Sequence, residues 1–248
     1  MRERSSRIAL GLLFVVAFVL YLTTTSRAIG WWDDSHYALI AATLSITNPP
    51  GSLLLTVLGW LWTRVLWCPP FAFQLHLLAA LLGAGTVTGV AWCTKRIVST
   101  PEEGAWAATL AGVAAGAWVM TTFHLWTYAT QFTPYTLSML FTALLLMAFM
   151  RWWRRAEAAD NVAGLALLAL LLGLDVSVHR TNQLLTPGLL VGILLRRPGV
   201  FLRPSAVAAA LLGWVAGAAA QAGYFVLSAR HPLIDMADVH SLRDLYPT

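Results

Sequence analysis

Two adjacent acids, Asp33 and Asp34, stand in a polar stretch just after the first apolar segment: Trp31-Trp32-Asp33-Asp34-Ser35-His36-Tyr37. A carboxylate so placed can take a proton from an attacking hydroxyl or hold a divalent cation. On a helix, Asp33 and His36 are three residues apart and face the same way. A plainer reading stays open: Asp33 or Ser35 caps a helix in a wet loop. In that helix Tyr37, Ile40, Ala41 and Leu44 recur at helical spacing as an apolar stripe. Acids near a bilayer are rare and usually used, so the two readings stand level.

A second cluster, Asp175-Val176-Ser177-Val178-His179-Arg180-Thr181-Asn182, lies between two apolar runs. Arginine offers a planar fork of donors suited to phosphate, so Arg180 with His179 can bind a phosphorylated ligand. The alternative is a snorkelling arginine beside a solvated histidine, with Asp175 pairing with Arg180 or His179. A third stretch, His124 to Tyr135, carries aromatics that suit the headgroup belt. Pro134 interrupts its backbone pairing, and the freed groups must be buried in protein or line a cavity. His76, inside an apolar run, reads as a packed or hydrogen-bonded helix residue. Gly83, Gly85 and Gly89 read as helix-packing positions: no strand precedes them and no Lys-Ser/Thr follows, which excludes a nucleotide loop. Cys68 and Cys93 show neither metal spacing nor the setting of a disulfide.

The segments that position these patches are membrane-grade. Of 248 residues, 58% are hydrophobic and 11% charged, where soluble domains have about 25% charged residues. The net charge of +5 does not mark a nucleic-acid binder, because the basic residues cluster at span ends, as topology requires. Apolar runs occupy Ile8–Thr24, Phe71–Cys93, Gly104–Phe123, Phe132–Met150, Val162–Val178, Gln183–Leu195 and Ser205–Ser228. The first follows a basic start but reads as an uncleaved span, not a signal peptide. Ser52–Trp67 is apolar but short of the roughly 20 residues a span needs. If it crossed, the clusters Lys95-Arg96, Arg151–Arg155 and Arg196–Arg203 would all fall outside. If it lies along the outer interface, they fall inside with Arg2, Arg4 and Arg7, as the positive-inside rule prefers. The expectation is therefore an all-α polytopic membrane protein with about seven transmembrane helices. Its N-terminus is cytoplasmic, and interfacial helices occupy a first outer loop over 25–70. The small residues of Ala206–Ala222 suit close helix packing.

Three patches together resemble the domain of unknown function 2723 family, whose characterised eukaryotic relative is the transmembrane protein 260 O-mannosyltransferase. The first is Trp32-Asp33-Asp34-Ser35-His36, the helix Tyr37–Thr43, Leu44-Ser45-Ile46 and Asn48-Pro49-Pro50-Gly51. The second is Ala129-Thr130 with Thr133-Pro134-Tyr135-Thr136-Leu137. The third is His179-Arg180-Thr181 with Pro187-Gly188. The pattern departs at His36 and Thr133, where the family has acids, and at Asn48, where it has histidine. Asp34 replaces a small residue.

The resemblance implies a GT-C-like glycosyltransferase core spanning 1–248 as one domain, truncated at its C-terminus, in a bacterial inner membrane. It implies transfer of a mannosyl or other hexosyl unit from a polyprenyl-phosphate-linked sugar to a protein or glycan acceptor on the outer face. Asp33 is then the candidate catalytic base, with Asp34, His36 and Tyr135 in support, and His179 and Arg180 hold the carrier phosphate. A divalent cation is an open option and no organic cofactor is expected. The alternative is an inactive or split protein that binds the lipid carrier and needs a partner chain for the missing part. A transporter is the weaker alternative, since no span centre carries an ionisable pathway and no inverted repeat is visible.

Overall fold

The computed structural model describes residues 2–47, 52–66, 70–99, 105–155 and 161–241. The predicted break at Asn48-Pro49-Pro50-Gly51, together with Cys68 and the last seven residues, lies outside them. Among the described residues every regular element is helical: α1 (Arg2–Thr24), α2 (Asp33–Thr43), α3 (Leu53–Val65), α4 (Phe71–Val98), α5 (Ala105–Met120), α6 (Phe123–Ala129), α7 (Pro134–Arg154), α8 (Val162–Asp175), α9 (Thr186–Arg196), α10 (Pro204–Ala218) and α11 (Gly223–Ser228). Short 3-10 turns cover Arg180–Leu185, Pro198–Leu202 and Ala219–Ala222.

Among the described residues, four segments are long and apolar enough to cross a membrane: Glu3–Thr24, Phe71–Val98, Pro134–Arg154 and Pro204–Ser228. A fifth forms if α5 and α6, which meet at a 69° bend, count together. The remaining apolar helices fall short. α8 has 14 residues and α9 has 11, which at 1.5 Å per residue is about 21 and 17 Å against a hydrocarbon core of about 30 Å. The run predicted from Gln183 opens as a 3-10 turn, and its α-helix starts at Thr186, one residue before Pro187. α3 spans 13 residues and is also too short to cross upright.

The chain divides into two compact units, residues 1–38 with 61–143 and residues 39–60 with 144–248. In the first, α1 and α5 both run antiparallel to α4. A Cβ on Gly83 would meet Ala129 and Tyr21, and one on Gly116 would meet Leu13 and Ala91. Leu13, Ala17, Tyr21, Ala80, Ala84, Val87 and Leu125 fill the core. The Tyr21 hydroxyl donates to the Met120 carbonyl at 2.9 Å, which satisfies a polar group inside this apolar packing.

In the second unit α8 and α10 run parallel and touch backbone to backbone. A Cβ on Gly213 would come within 2.4 Å of the Ala166 carbonyl oxygen, and one on Gly217 within 2.3 Å of that of Leu170. This is the close packing that small residues permit where no apolar driving force separates helix from lipid. Leu145, Trp152, Leu165, Leu168, Ile193 and Val200 form a core beside them. The loop after α2 pairs with the tail at Ile46 and Asp235, a single bridge and not a sheet.

Candidate active site

Asp33 and Asp34 open α2 and lie in its first turn, where helix dipole and free amides favour negative charge. The preceding Trp32 has φ 57°. That left-handed conformation costs a non-glycine residue roughly 1–2 kcal/mol. Such strain is held in place only by surrounding contacts, and here it turns the chain between an exposed Trp31-Trp32 pair and the helix. The Ser35 hydroxyl donates back to the Trp32 carbonyl at 2.8 Å, as does the His36 amide at 3.1 Å.

The two carboxylates have different surroundings. Asp34 is 1% exposed. Its Oδ2 accepts from the Gly30 amide at 2.5 Å and its Oδ1 from the Phe132 amide at 2.7 Å. Nε2 of His76, on α4, lies 3.0 and 3.1 Å from the two oxygens. The other ring nitrogen, Nδ1, lies 2.8 Å from the Ser26 carbonyl oxygen. Both ring nitrogens thus face acceptors and both must donate, which fits an imidazolium paired with a carboxylate. Burial pushes the Asp34 carboxyl up. The hydrogen bond and charge of His76 and the amides of Phe132 and Gly30 outweigh it and hold the group below the usual carboxylate range.

Asp33 is half-buried and has Tyr135 as its neighbour. Tyr135 lies near it, with Tyr37 and Tyr128 close by. The rings of Tyr128 and Tyr135 lie 4.6 Å apart, and His36 meets Tyr37 edge-on at 5.3 Å. Pro134 begins α7, and the backbone group freed before it is taken up in protein: the Phe132 amide goes to Asp34. One side chain therefore ties the α2 start, α4 and the α6–α7 junction together and fixes Asp33 beside Tyr135.

The sequence reading grouped Asp33, Asp34, His36 and Tyr135, and the structure places all four in the first unit. It missed that His76 is the partner of Asp34. The available signal was that a histidine within an apolar helix must find a polar partner. Asp34 spends both oxygens on protein donors, and among the described residues no three His, Cys, Asp or Glu side chains gather.

In the second unit His179 precedes the 3-10 turn Arg180–Leu185, and its Nδ1 accepts from the Thr181 amide at 3.3 Å. Thr181 Oγ1 lies 2.6 Å from the same nitrogen. In the neutral ring the proton therefore sits on Nε2. Burial pushes the His179 imidazole below its ordinary value of 6.5. Asp175 is fully buried, and its carboxylate takes its hydrogen bond from the Asn182 side chain at 3.1 Å. The expected side-chain pairing with Arg180 or His179 gives way to Asn182, which the turn brings back over the end of α8.

The model of the protein O-mannosyl-transferase TMEM260 N-terminal domain matches residues 33–200. The chain belongs to the TMEM260 N-terminal domain family. The match opens on Asp33 and takes in Asp34, His36, His76, Tyr135, His179 and Arg180 of this TMEM260-type domain. No curated protein and no solved structure matches the chain.

Proposed function

We propose that the chain is a membrane glycosyltransferase of the GT-C type that moves a mannosyl or related hexosyl unit from a polyprenyl-phosphate carrier to a protein or glycan hydroxyl on the outer face. Family membership supports the transferase class. The observation that carries the choice of base is the contrast at the start of α2. Asp34 is buried under three donors, while Asp33 is half-buried and lies near Tyr135. As the acceptor oxygen bonds to the sugar C1, its proton passes to the Asp33 carboxylate, and the bond from C1 to the carrier phosphate oxygen breaks. The phosphate leaves with the electron pair. Arg180, through its guanidinium fork, and His179, as a neutral donor from Nε2, are assigned to hold the carrier phosphate. The N-terminus is placed on the cytoplasmic side, on the charge asymmetry of the loops.

The test uses membranes containing the full chain and labelled polyprenyl-phosphate mannose. Asp33→Asn is expected to retain the donor and lose transfer, and Arg180→Gln to raise the donor KM. Equal transfer by wild type and Asp33→Asn would remove Asp33 from its role. Carrier binding without transfer by the wild type would favour a carrier-binding protein without turnover.

A further inference from the structure

Because α8 and α10 run parallel, their first residues lie at one end of the second unit, opposite Asp175, His179 and Arg180. The end of α9 meets them there. The Val200 amide donates to the Arg197 carbonyl at 3.0 Å and the Arg203 amide to the Val200 carbonyl at 3.2 Å. Arg197 and Arg203 thus flank the turn Pro198–Leu202. Arg196 Nε donates to the Trp153 carbonyl at 3.2 Å, and its guanidinium lies 5.9 Å from that ring's centre. This draws the end of α7 alongside, with Arg151, Arg154 and Arg155, all exposed.

Beneath the turn, between α8, α9 and α10, lies a cavity of about 220 Å³ walled by Leu168, Leu189, Ile193, Val200, Phe201 and Ala210 among other apolar residues. It is larger than the roughly 150 Å³ apolar cavity that stays dry and takes up benzene. Val200 and Phe201 belong to the turn that the two arginines flank, Arg197 three residues before Val200 and Arg203 two after Phe201. A hollow of this kind fits a molecule with an alkyl chain and a phosphate head. A zwitterionic lipid satisfies the hollow but brings its own cation to its phosphate. Arginines beside the turn favour a head with net negative charge.

We propose that this end of the second unit binds one anionic phospholipid, with its phosphate on Arg197 and Arg203 and part of an acyl chain in the cavity beneath the Pro198–Leu202 turn. The site is separate from the carrier-phosphate pair and does not depend on the transferase reading.

The experiment follows the unfolding midpoint of the full chain in neutral detergent during titration with dioleoylphosphatidylglycerol, dioleoylphosphatidylcholine or inorganic phosphate. Phosphatidylglycerol is expected to stabilise at lower concentration than phosphatidylcholine, and phosphate not at all. Arg197→Gln with Arg203→Gln is expected to weaken phosphatidylglycerol binding at least about thirtyfold, as loss of two charge-assisted contacts does. Ala210→Phe fills the hollow with every charge kept and is expected to weaken it as well. Arg154→Gln with Arg155→Gln removes as much charge from the rim but away from the hollow, and is expected to cost less than about threefold, the scale of exposed charges. Equal stabilisation by phosphatidylcholine, full stabilisation by phosphate alone, or equal losses in the two arginine pairs would overturn the proposal. If Ala210→Phe does not fold, the comparison of the arginine pairs decides.

Discussion

The Asp34 carboxylate accepts from Gly30, Phe132 and His76, three segments far apart in sequence. Removing one partner of a buried pair leaves the other charge uncompensated and costs about 3–5 kcal/mol. Asp34→Asn is therefore expected to lower stability on that scale in thermal or denaturant unfolding, and His76→Gln to do likewise. A loss below about 1 kcal/mol in both, the worth of an exposed pair, would contradict the pairing. The pH dependence has a fixed sign. Asp34 is held below its ordinary value of 3.8. Its contribution is complete above that value and falls away as pH drops through it towards the depressed one. Wild type should lose stability relative to Asp34→Asn on titration from pH 5 to pH 2. His179 is also pushed down, from 6.5. It is expected to stay neutral at pH 7, leaving the positive charge of that patch to Arg180. The order of residues in the family pattern made Asp33 legible in the sequence as the candidate base. The physical reason, that Asp34 is consumed by structure, was not legible. It depends on which amide and which span come back to the loop, and on a histidine 42 positions further on.

At the scale of elements, α2 is aimed by the turn before it. A Cβ on Gly30 would fall 2.8 Å from Asp34 Oδ2. Gly30→Ala is therefore expected to displace that carboxylate and reproduce part of the Asp34→Asn loss in unfolding. α8 and α10 pose the same steric question in a larger form. Gly217→Ala places a methyl group against the Leu170 carbonyl, and overpacking of this kind costs about 1–3 kcal/mol. The expected readout is a lower unfolding midpoint, and an unchanged midpoint would refute the backbone contact. Hydropathy and charge located the long helices well, because Phe71–Val98 and Pro134–Arg154 are continuous apolar runs with basic ends. They located α8 and α9 as short apolar runs, but not what ends them. Pro187 and the buried Asp175–Asn182 bond set those ends, and composition does not display a hydrogen bond between residues seven apart.

For the whole molecule, the apolar helices and the transferase family agree on a membrane protein. The chain is expected to stay with the membrane through an alkaline carbonate wash, and release into the supernatant would contradict the spans. The charge count that put Ser52–Trp67 along the interface is consistent with a 13-residue α3. That Asp33 and Tyr135 lie close together was readable only in part, since they are 102 positions apart and meet through α7. The measurement that bears most directly on the central claim is single-turnover sugar transfer at saturating labelled polyprenyl-phosphate mannose, comparing wild type, Asp33→Asn and Asp33→Glu at equal folded protein. The account predicts a loss of about 10²–10⁴-fold for Asp33→Asn, the range of a general base, with partial recovery in Asp33→Glu. Transfer by Asp33→Asn within a few-fold of wild type would contradict it.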